Sequence, residues 1–197
     1  MACSQQTATL PALPEETLEA NNAQAESTKQ STVDPVFPSH LKQVCQGEAA
    51  SHSASYQASM QTTHPTYLVY RETPDDSYID RSALGLVPAA WETEWKNLHE
   101  VELVLCTSKL QQQFVRKCEF KEAGQPTYVL EMYDTLYSAE LRESKTGTMV
   151  ASQELSVKAN ATCPKLHMFT AGKTLDKLDA DYKQAIYNFA KPYVETP

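Results

Sequence analysis

His64 is the residue in this chain that comes closest to an acid–base centre. Asp75 and Asp76 follow it in the sequence, and a carboxylate beside an imidazole would orient it as a general base. Nucleophilic catalysis has little support, because there is no Gly-x-Ser-x-Gly motif and no cysteine at a helix start with a histidine partner. A loop histidine before a strand and an ordinary turn account for the same residues. We therefore predict no catalytic residue and keep an envelope hydrolase with a dispersed His and Asp site as the alternative.

Metal and cofactor binding are not favoured by the spacing of the potential ligands. The five histidines are scattered, with no pair at i and i+4, and no Cys-x-x-Cys motif occurs. Asp176, Asp179 and Asp181 suggest calcium, but the glycine-containing loop of an EF-hand does not accompany them. With 5 glycines in the whole chain, a glycine-rich phosphate loop is also missing. The sequence predicts no bound metal or cofactor.

Aromatic pairs and one modification motif offer weaker signals. Trp91 and Trp95 stand four residues apart and could stack on a sugar, although such pairs more often cover the edge of a core. Tyr133 and Tyr137 share one face of a predicted strand, where cross-strand packing is the ordinary role. Asn160-Ala-Thr matches a glycosylation acceptor, which matters only in a eukaryotic secretory pathway.

The cysteines are the most informative residues of the sequence. One stands alone near the amino terminus and four lie within the predicted domain: Cys3, Cys45, Cys106, Cys118 and Cys163. An even number of cysteines in the domain fits two disulfides formed in an oxidising compartment. A cytosolic domain with reduced thiols and a structural role is the other interpretation.

The elements that must position these residues follow from the hydrophobic pattern. Alternation of apolar and polar residues predicts a long β-hairpin over residues 127–158, with its tight turn at Thr146-Gly147. Shorter strands are predicted over residues 66–70, 98–106 and 114–120, the last two separated by a polar turn at Lys109–Gln113. Apolar residues at three- and four-residue spacing predict a closing helix over about residues 174–191, ended by Pro192. Its first half contains Asp176, Asp179 and Asp181, where the helix dipole favours anions.

These elements predict an α+β fold: a mainly antiparallel sheet of about five strands with a C-terminal amphipathic helix, preceded by a disordered tail. The tail, residues 1–37, is rich in small polar residues and too poor in apolar ones to offset the entropy of ordering. Residues 38–197 then form a single domain. The net charge of -8 and pI near 5.1 disfavour a nucleic-acid partner.

Several short motifs in a fixed order carry a resemblance. They are Cys45-Gln-Gly, Glu102-Leu-Val-Leu-Cys106, Arg116-Lys-Cys118-Glu-Phe, Leu141-Arg-Glu-Ser-Lys-Thr-Gly147, Thr162-Cys163-Pro164 and Phe189-Ala-Lys-Pro-Tyr-Val194. Over residues 42 to 195 the chain resembles an uncharacterised extracytoplasmic domain of bacterial lipoproteins and membrane-anchored proteins. That resemblance implies an extracytoplasmic α+β domain and transfers no catalytic residue. The polar turn at Lys109–Gln113 departs from the pattern.

The amino terminus fits the same picture. Met1-Ala-Cys3-Ser resembles the end of a lipobox, because a small residue precedes the cysteine and a long polar tether follows it. We expect Cys3 to be the acylation site and a signal peptide to be removed before it. The expected protein is a non-enzymatic lipoprotein of the bacterial cell envelope. Its partners would be the membrane, through the lipid anchor, and a protein or ligand that the sequence does not identify.

The disulfide pairing expected from the predicted strands is Cys106 with Cys118 and Cys45 with Cys163. Cys106 and Cys118 fall in two consecutive strands with a turn between them, and neighbouring antiparallel residues meet the Cα separation that a disulfide requires. The remaining two cysteines would then join the first segment to the end of the long hairpin. The rival pairings, Cys45 with Cys106 or with Cys118, require the first segment to lie against the middle strands.

Overall fold

The computed structural model describes residues 34–59, 63–81, 85–121, 123–124 and 126–195. Cys3 and most of the predicted tether lie outside these residues. Val36, which precedes the predicted domain boundary at residue 38, is already buried against the domain. The elements in chain order are α1 Pro38–Val44, β1 Thr66–Arg71, β2 Ile79–Asp80, a 3-10 helix Trp95–Glu100, β3 Leu103–Phe120, β4 Tyr128–Glu143, β5 Met149–Val157, β6 Leu175–Asp179 and α2 Lys183–Val194.

The strands form one sheet of six, and the predicted α+β class is confirmed. The order is β2-β1-β3-β4-β5, with β6 also paired to β4. Most neighbours are antiparallel, but β1 runs parallel to β3 and β6 runs parallel to β4. β5 pairs with β4 from Thr135 to Arg142, and β6 pairs with the preceding part of β4, from Val129 to Tyr133. The two shorter strands therefore occupy successive stretches of the same edge of β4.

The prediction of a turn at Lys109–Gln113 is wrong, because these residues lie within β3, a single strand of 18 residues. β3 pairs with β4 along its whole length, from Leu103 opposite Glu143 to Phe120 opposite Tyr128. Irregularities in the register at Lys109/Gln111 and Phe114/Arg116 each insert an extra residue into β3. The polar residues that resemble a turn are tolerated because this part of β3 is largely exposed, while the strand backbone is paired to β4.

Alternation along the strands supplies two buried layers. On one face Leu103 and Leu105 of β3 pack with Leu141 of β4 and with the apolar side of α2, including Ile186. On the other face Val104 and Cys106 pack with α1 and with the 3-10 helix. A third, smaller cluster joins Cys118, Leu130 and Met132, near the end of β3 and the start of β4. The sheet is thus covered on both faces.

The hairpin turn between β4 and β5 is where the sequence predicts it, and Gly147 is required there. Its φ of +73° lies in the left-handed region that favours glycine. A Cβ on this residue would also lie 2.7 Å from the carbonyl oxygens of Glu48 and Gly47. Arg142 donates to the Gly147 carbonyl oxygen at 3.0 Å. The turn therefore packs against the segment that follows α1.

The disulfides are Cys45–Cys106 and Cys118–Cys163, with Cα separations of 5.6 and 5.7 Å. Two disulfides are as predicted, but the predicted pairing is wrong. Cys106 and Cys118 belong to the same continuous strand, and twelve residues of strand span about 40 Å, far beyond the reach of a disulfide. Each cysteine of β3 is instead joined to a segment that covers the sheet: the end of α1 at Cys45, and the loop after β5 at Cys163.

The C-terminal helix is shorter than predicted. Residues Leu175–Asp179 form β6, and α2 begins only at Lys183. Asp176 and Asp179 therefore belong to a strand and not to the first half of a helix. Pro192 does not end α2 but lies inside its last turn, and the helix ends at Val194. Proline is tolerated there because, in so short a helix, only one backbone hydrogen bond is lost close to the end.

We predict that the two disulfides can be removed separately. Replacing Cys118 and Cys163 by serine opens a 45-residue loop, which should lower the free energy of unfolding by about 4 kcal/mol in the chain-entropy model. Hydrogen exchange should speed up over residues 158–174 and stay slow in α1. The matched variant lacking Cys45 and Cys106 should show the reverse pattern. Recovery of a Cys106–Cys118 peptide from the unreduced native protein would contradict the pairing.

Candidate ligand pocket at the end of the long strands

A loop after β5 covers the sheet where β3 ends and β4 begins, and we call residues 158–174 the covering segment. Its first residues are held by Asp134 of β4, which accepts hydrogen bonds from the Lys158 ammonium and the Ala159 amide, both at 2.8 Å. The Lys158 ammonium and this amide hold the pKa of Asp134 below its usual range. Further along, Cys163 is bonded to Cys118, which is itself buried. The covering segment is therefore fixed to the sheet at two points.

Aromatic rings gather under the covering segment. Phe169 is the centre of the group, with its ring centroid 5.5 Å from Phe120, 5.0 Å from Tyr128 and 4.8 Å from His167. The Phe120 and His167 contacts are edge-to-face, a favoured geometry for aromatic pairs. The pairing of Phe120 opposite Tyr128 brings two of the rings together across β3 and β4.

These rings form part of the wall of a cavity of about 580 Å³. Small-molecule sites commonly have this size, with mostly apolar walls and a few polar groups. The remaining walls come from Pro126, from Leu166 and from the turn over residues 170–174. Leu166 and Met168 on the covering segment are 81% and 87% exposed. Two large apolar side chains thus lie in solvent beside an apolar cavity, as expected at a binding site rather than in a closed core.

Asp176 of β6 holds the other end of the covering segment. One of its carboxylate oxygens accepts a hydrogen bond from the Thr170 amide at 3.2 Å and lies 3.3 Å from the His167 ring nitrogen Nε2. Partial burial disfavours the charged carboxylate and by itself would raise the pKa of Asp176. The hydrogen bonds from Thr170 and His167 outweigh this effect, so the pKa lies below its ordinary value. Asp176 therefore positions two residues of the cavity wall, and the calcium role considered from the sequence has no support in this geometry.

A second polar cluster lies on the opposite face of the same strands and has a structural role. The Lys109 ammonium bonds to Glu72 and to Asp179, the latter at 3.0 Å, and Gln112 donates to the same aspartate. Burial disfavours the Lys109 ammonium, but its hydrogen bonds with the two carboxylates outweigh this, and its pKa is raised. The cluster joins the residue after β1 to β3 and β6, and because Lys109 is only 10% exposed, its ammonium offers little surface to a ligand.

His64, the candidate base, is fully buried. Its ring nitrogen Nδ1 lies 2.6 Å from the Glu102 carboxylate, and the Tyr56 ring packs edge-to-face on it at 4.7 Å. Its orienting carboxylate is thus Glu102, which the sequence pattern did not indicate. Asp76 instead closes its own turn by accepting hydrogen bonds from the Thr73 amide and hydroxyl. The arrangement of a base oriented by Asp75 or Asp76 is therefore not formed.

The tryptophan pair proposed from the sequence as a sugar platform is separated by the fold. Trp91 is fully buried, stacks on Tyr187 and donates from its indole nitrogen to Glu195 at 2.9 Å, whereas Trp95 is 69% exposed. The two therefore form no common platform for a sugar. Tyr137 is buried and stacks on Tyr182 at 4.4 Å, so it belongs to the core.

The pocket residues were missed by the sequence analysis. Phe120 ends β3 and Tyr128 begins β4, and each by itself is an ordinary strand residue. Phe169 follows the Cys163-Pro motif in a stretch with no strand or helix pattern. The signal that was available is the run Leu166-His-Met-Phe169 in a loop, because several apolar residues close together on a surface can mark a binding site.

Comparisons with protein-family models, with curated proteins and with solved structures found no match to this chain. In the described ranges no three His, Cys, Asp or Glu side chains lie together in an arrangement that would hold a metal ion. None of the described helices is long and apolar enough to cross a membrane. The two disulfides indicate an oxidising, extracytoplasmic compartment.

We predict that Asp176→Asn weakens the fold at neutral pH and removes part of its acid sensitivity. A carboxyl with a lowered folded-state pKa stabilises the protein above its unfolded-state pKa of about 3.9, and this contribution disappears as the pH falls through the folded-state value. Urea unfolding should therefore show a less stable variant at pH 7 and a smaller difference in stability at an acidic pH below the unfolded-state pKa. Asp75→Asn, in an exposed turn, is the matched control. An equal loss at both pH values would contradict the role of the Asp176 charge.

Proposed function

We propose that this protein is a non-enzymatic binding module of the bacterial cell envelope. In this proposal acylated Cys3 holds the chain at a membrane, the residues before Val36 act as a tether, and the α+β domain binds a ligand. The observation that carries the binding role is the apolar pocket of about 580 Å³ under the disulfide-fixed covering segment. Leu166, which is exposed and lines that pocket, supports it.

The compartment is supported by the disulfides, and the anchor by the sequence. Two cross-links in a domain of this size are typical of proteins outside the reducing cytosol. That argues against the reduced cytosolic domain considered from the sequence. The lipoprotein assignment itself depends on Met1-Ala-Cys3-Ser and on the resemblance to extracytoplasmic domains of lipoproteins.

An envelope hydrolase is the weaker candidate. The one observation in its favour is the short contact between His64 and Glu102 at 2.6 Å, which resembles a base with its orienting acid. His64 has no exposed surface, however, and substrate must come within hydrogen-bond reach of a general base. The pair is better explained as a buried link between the segment before β1 and the segment before β3.

We expect Cys3→Ala to release the protein from membranes. Two acyl chains on a cysteine anchor a protein firmly, whereas a single chain gives only marginal, reversible binding. Fractionation of cells that express the native gene should find the wild type with membranes and the variant in the soluble fraction. Cys3→Ser should be released as well, because serine carries no thioether. Equal membrane association of all three proteins would rule out the anchor.

The binding role is tested by extracting the protein as it is isolated from cells. Phe169→Ala removes the central ring of the pocket wall, and Phe114→Ala removes a half-exposed ring elsewhere on β3. We expect organic extracts of the wild type and of Phe114→Ala to contain a small molecule that is lost from Phe169→Ala. Mass spectrometry of the three extracts measures this. Indistinguishable extracts would contradict a ligand in this pocket.

A further inference from the structure

The covering segment has a charge opposite to that of the chain as a whole. Residues 158–174 contain Lys158, Lys165, His167 and Lys173 and no aspartate or glutamate, in a chain of net charge -8. Lys158 is paired with Asp134. Lys165 and Lys173 form no salt bridge to any residue that the structure describes. A locally basic segment thus covers an apolar cavity.

The charged groups at the cavity differ in how far they are already paired within the protein. Lys173 lines the cavity, and its backbone amide donates to the Thr170 carbonyl oxygen at 2.9 Å. Its ammonium interacts electrostatically with the Asp176 carboxylate but forms no salt bridge with it. The acidic group next to this wall is Asp176, which already accepts from the Thr170 amide and contacts His167. The negative charge is thus compensated within the protein mainly by these two hydrogen bonds. The Lys173 ammonium, which forms no salt bridge with any described residue, can still bind a ligand.

We propose that this pocket binds a small amphipathic anion, with an apolar body against Phe120, Tyr128 and Phe169 and an anionic head beside Lys173. The inference rests on the proposed binding function and adds the ligand class. The aromatic walls favour a flat or aliphatic body, because burying it removes apolar surface from water. A carboxylate, sulfonate or phosphate head then makes a charge-assisted hydrogen bond with the ammonium.

A cationic ligand fits the same walls less well. Aromatic faces attract ammonium groups through cation–π interactions, and Phe120, Tyr128 and Phe169 would supply such faces. Lys173 at the wall repels a cation, however, and Asp176 is already engaged. The order of affinity that follows is anion, then neutral molecule, then cation.

Three fluorescent probes with the same apolar body test this order: pyrenebutyrate, pyrenebutanol and pyrenebutylamine. Each is titrated into the purified full-length protein at low salt, because added ions screen an exposed charge. We expect the tightest binding for the butyrate. Lys173→Gln should weaken the butyrate by about three- to fivefold, as for a partly exposed ion pair, and leave the butanol unchanged. Lys145→Gln, which removes the same charge from the exposed β4–β5 turn, should change neither.

The outcomes separate this inference from the binding function itself. If all three probes bind equally and Phe169→Ala weakens all of them, the pocket binds ligands but the preference for anions is overturned. Tighter binding of the amine, or a Lys173→Gln effect no larger than that of Lys145→Gln, overturns it as well. If no probe binds and the extracts of wild type and Phe169→Ala also match, both the ligand class and the binding function fall.

Discussion

The pairing of β3 with β4 is the constraint on which the rest of the structure depends. The ladder runs from Leu103 opposite Glu143 to Phe120 opposite Tyr128, and every other strand except β2 adds directly to it. β1 lies beside β3, and β5 and β6 divide the far edge of β4 between them. Because these two strands are so long, one half can be covered on both faces while the other half extends toward the pocket.

The disulfides reinforce that ladder at two separate places. Both cross-links have one cysteine in β3, and the partner lies in a segment with little regular structure of its own to hold it. α1 contributes two buried side chains, Leu41 and Val44, and the covering segment has no helix or strand of its own. A covalent link therefore adds to the limited packing of each segment. The same link that stabilises the covering segment also positions the wall of the pocket.

The contrast between the buried polar groups and the pocket separates structural from functional chemistry. His64 with Glu102, and Lys109 with Glu72 and Asp179, are compensated pairs with little exposed surface on the basic partner. Such pairs satisfy the rule that a buried charge needs a partner. At the pocket the opposite holds, because Leu166 and Lys173 are exposed and Lys173 forms no salt bridge with any residue that the structure describes. This difference, and not the presence of titratable residues, is what directs attention to the covering segment.

The sequence alone determined what local patterns can determine. Alternation placed the long hairpin, Gly147 placed its turn, and the even number of cysteines in the domain indicated two disulfides; each of these is present. Backbone geometry links such features to residues only a few positions apart. The fold class followed from them.

Tertiary structure decided what depends on distant partners. The Lys109–Gln113 stretch is polar enough for a turn, and only pairing with β4 makes it a strand. Leu175–Asp179 fits a helical stripe, yet the free edge of β4 converts it to β6. The disulfide partners and the pocket follow from these two changes, because each joins segments far apart in the sequence. Contacts of that kind depend on the burial and hydrogen bonding of the whole domain. A local sequence pattern carries no information about them.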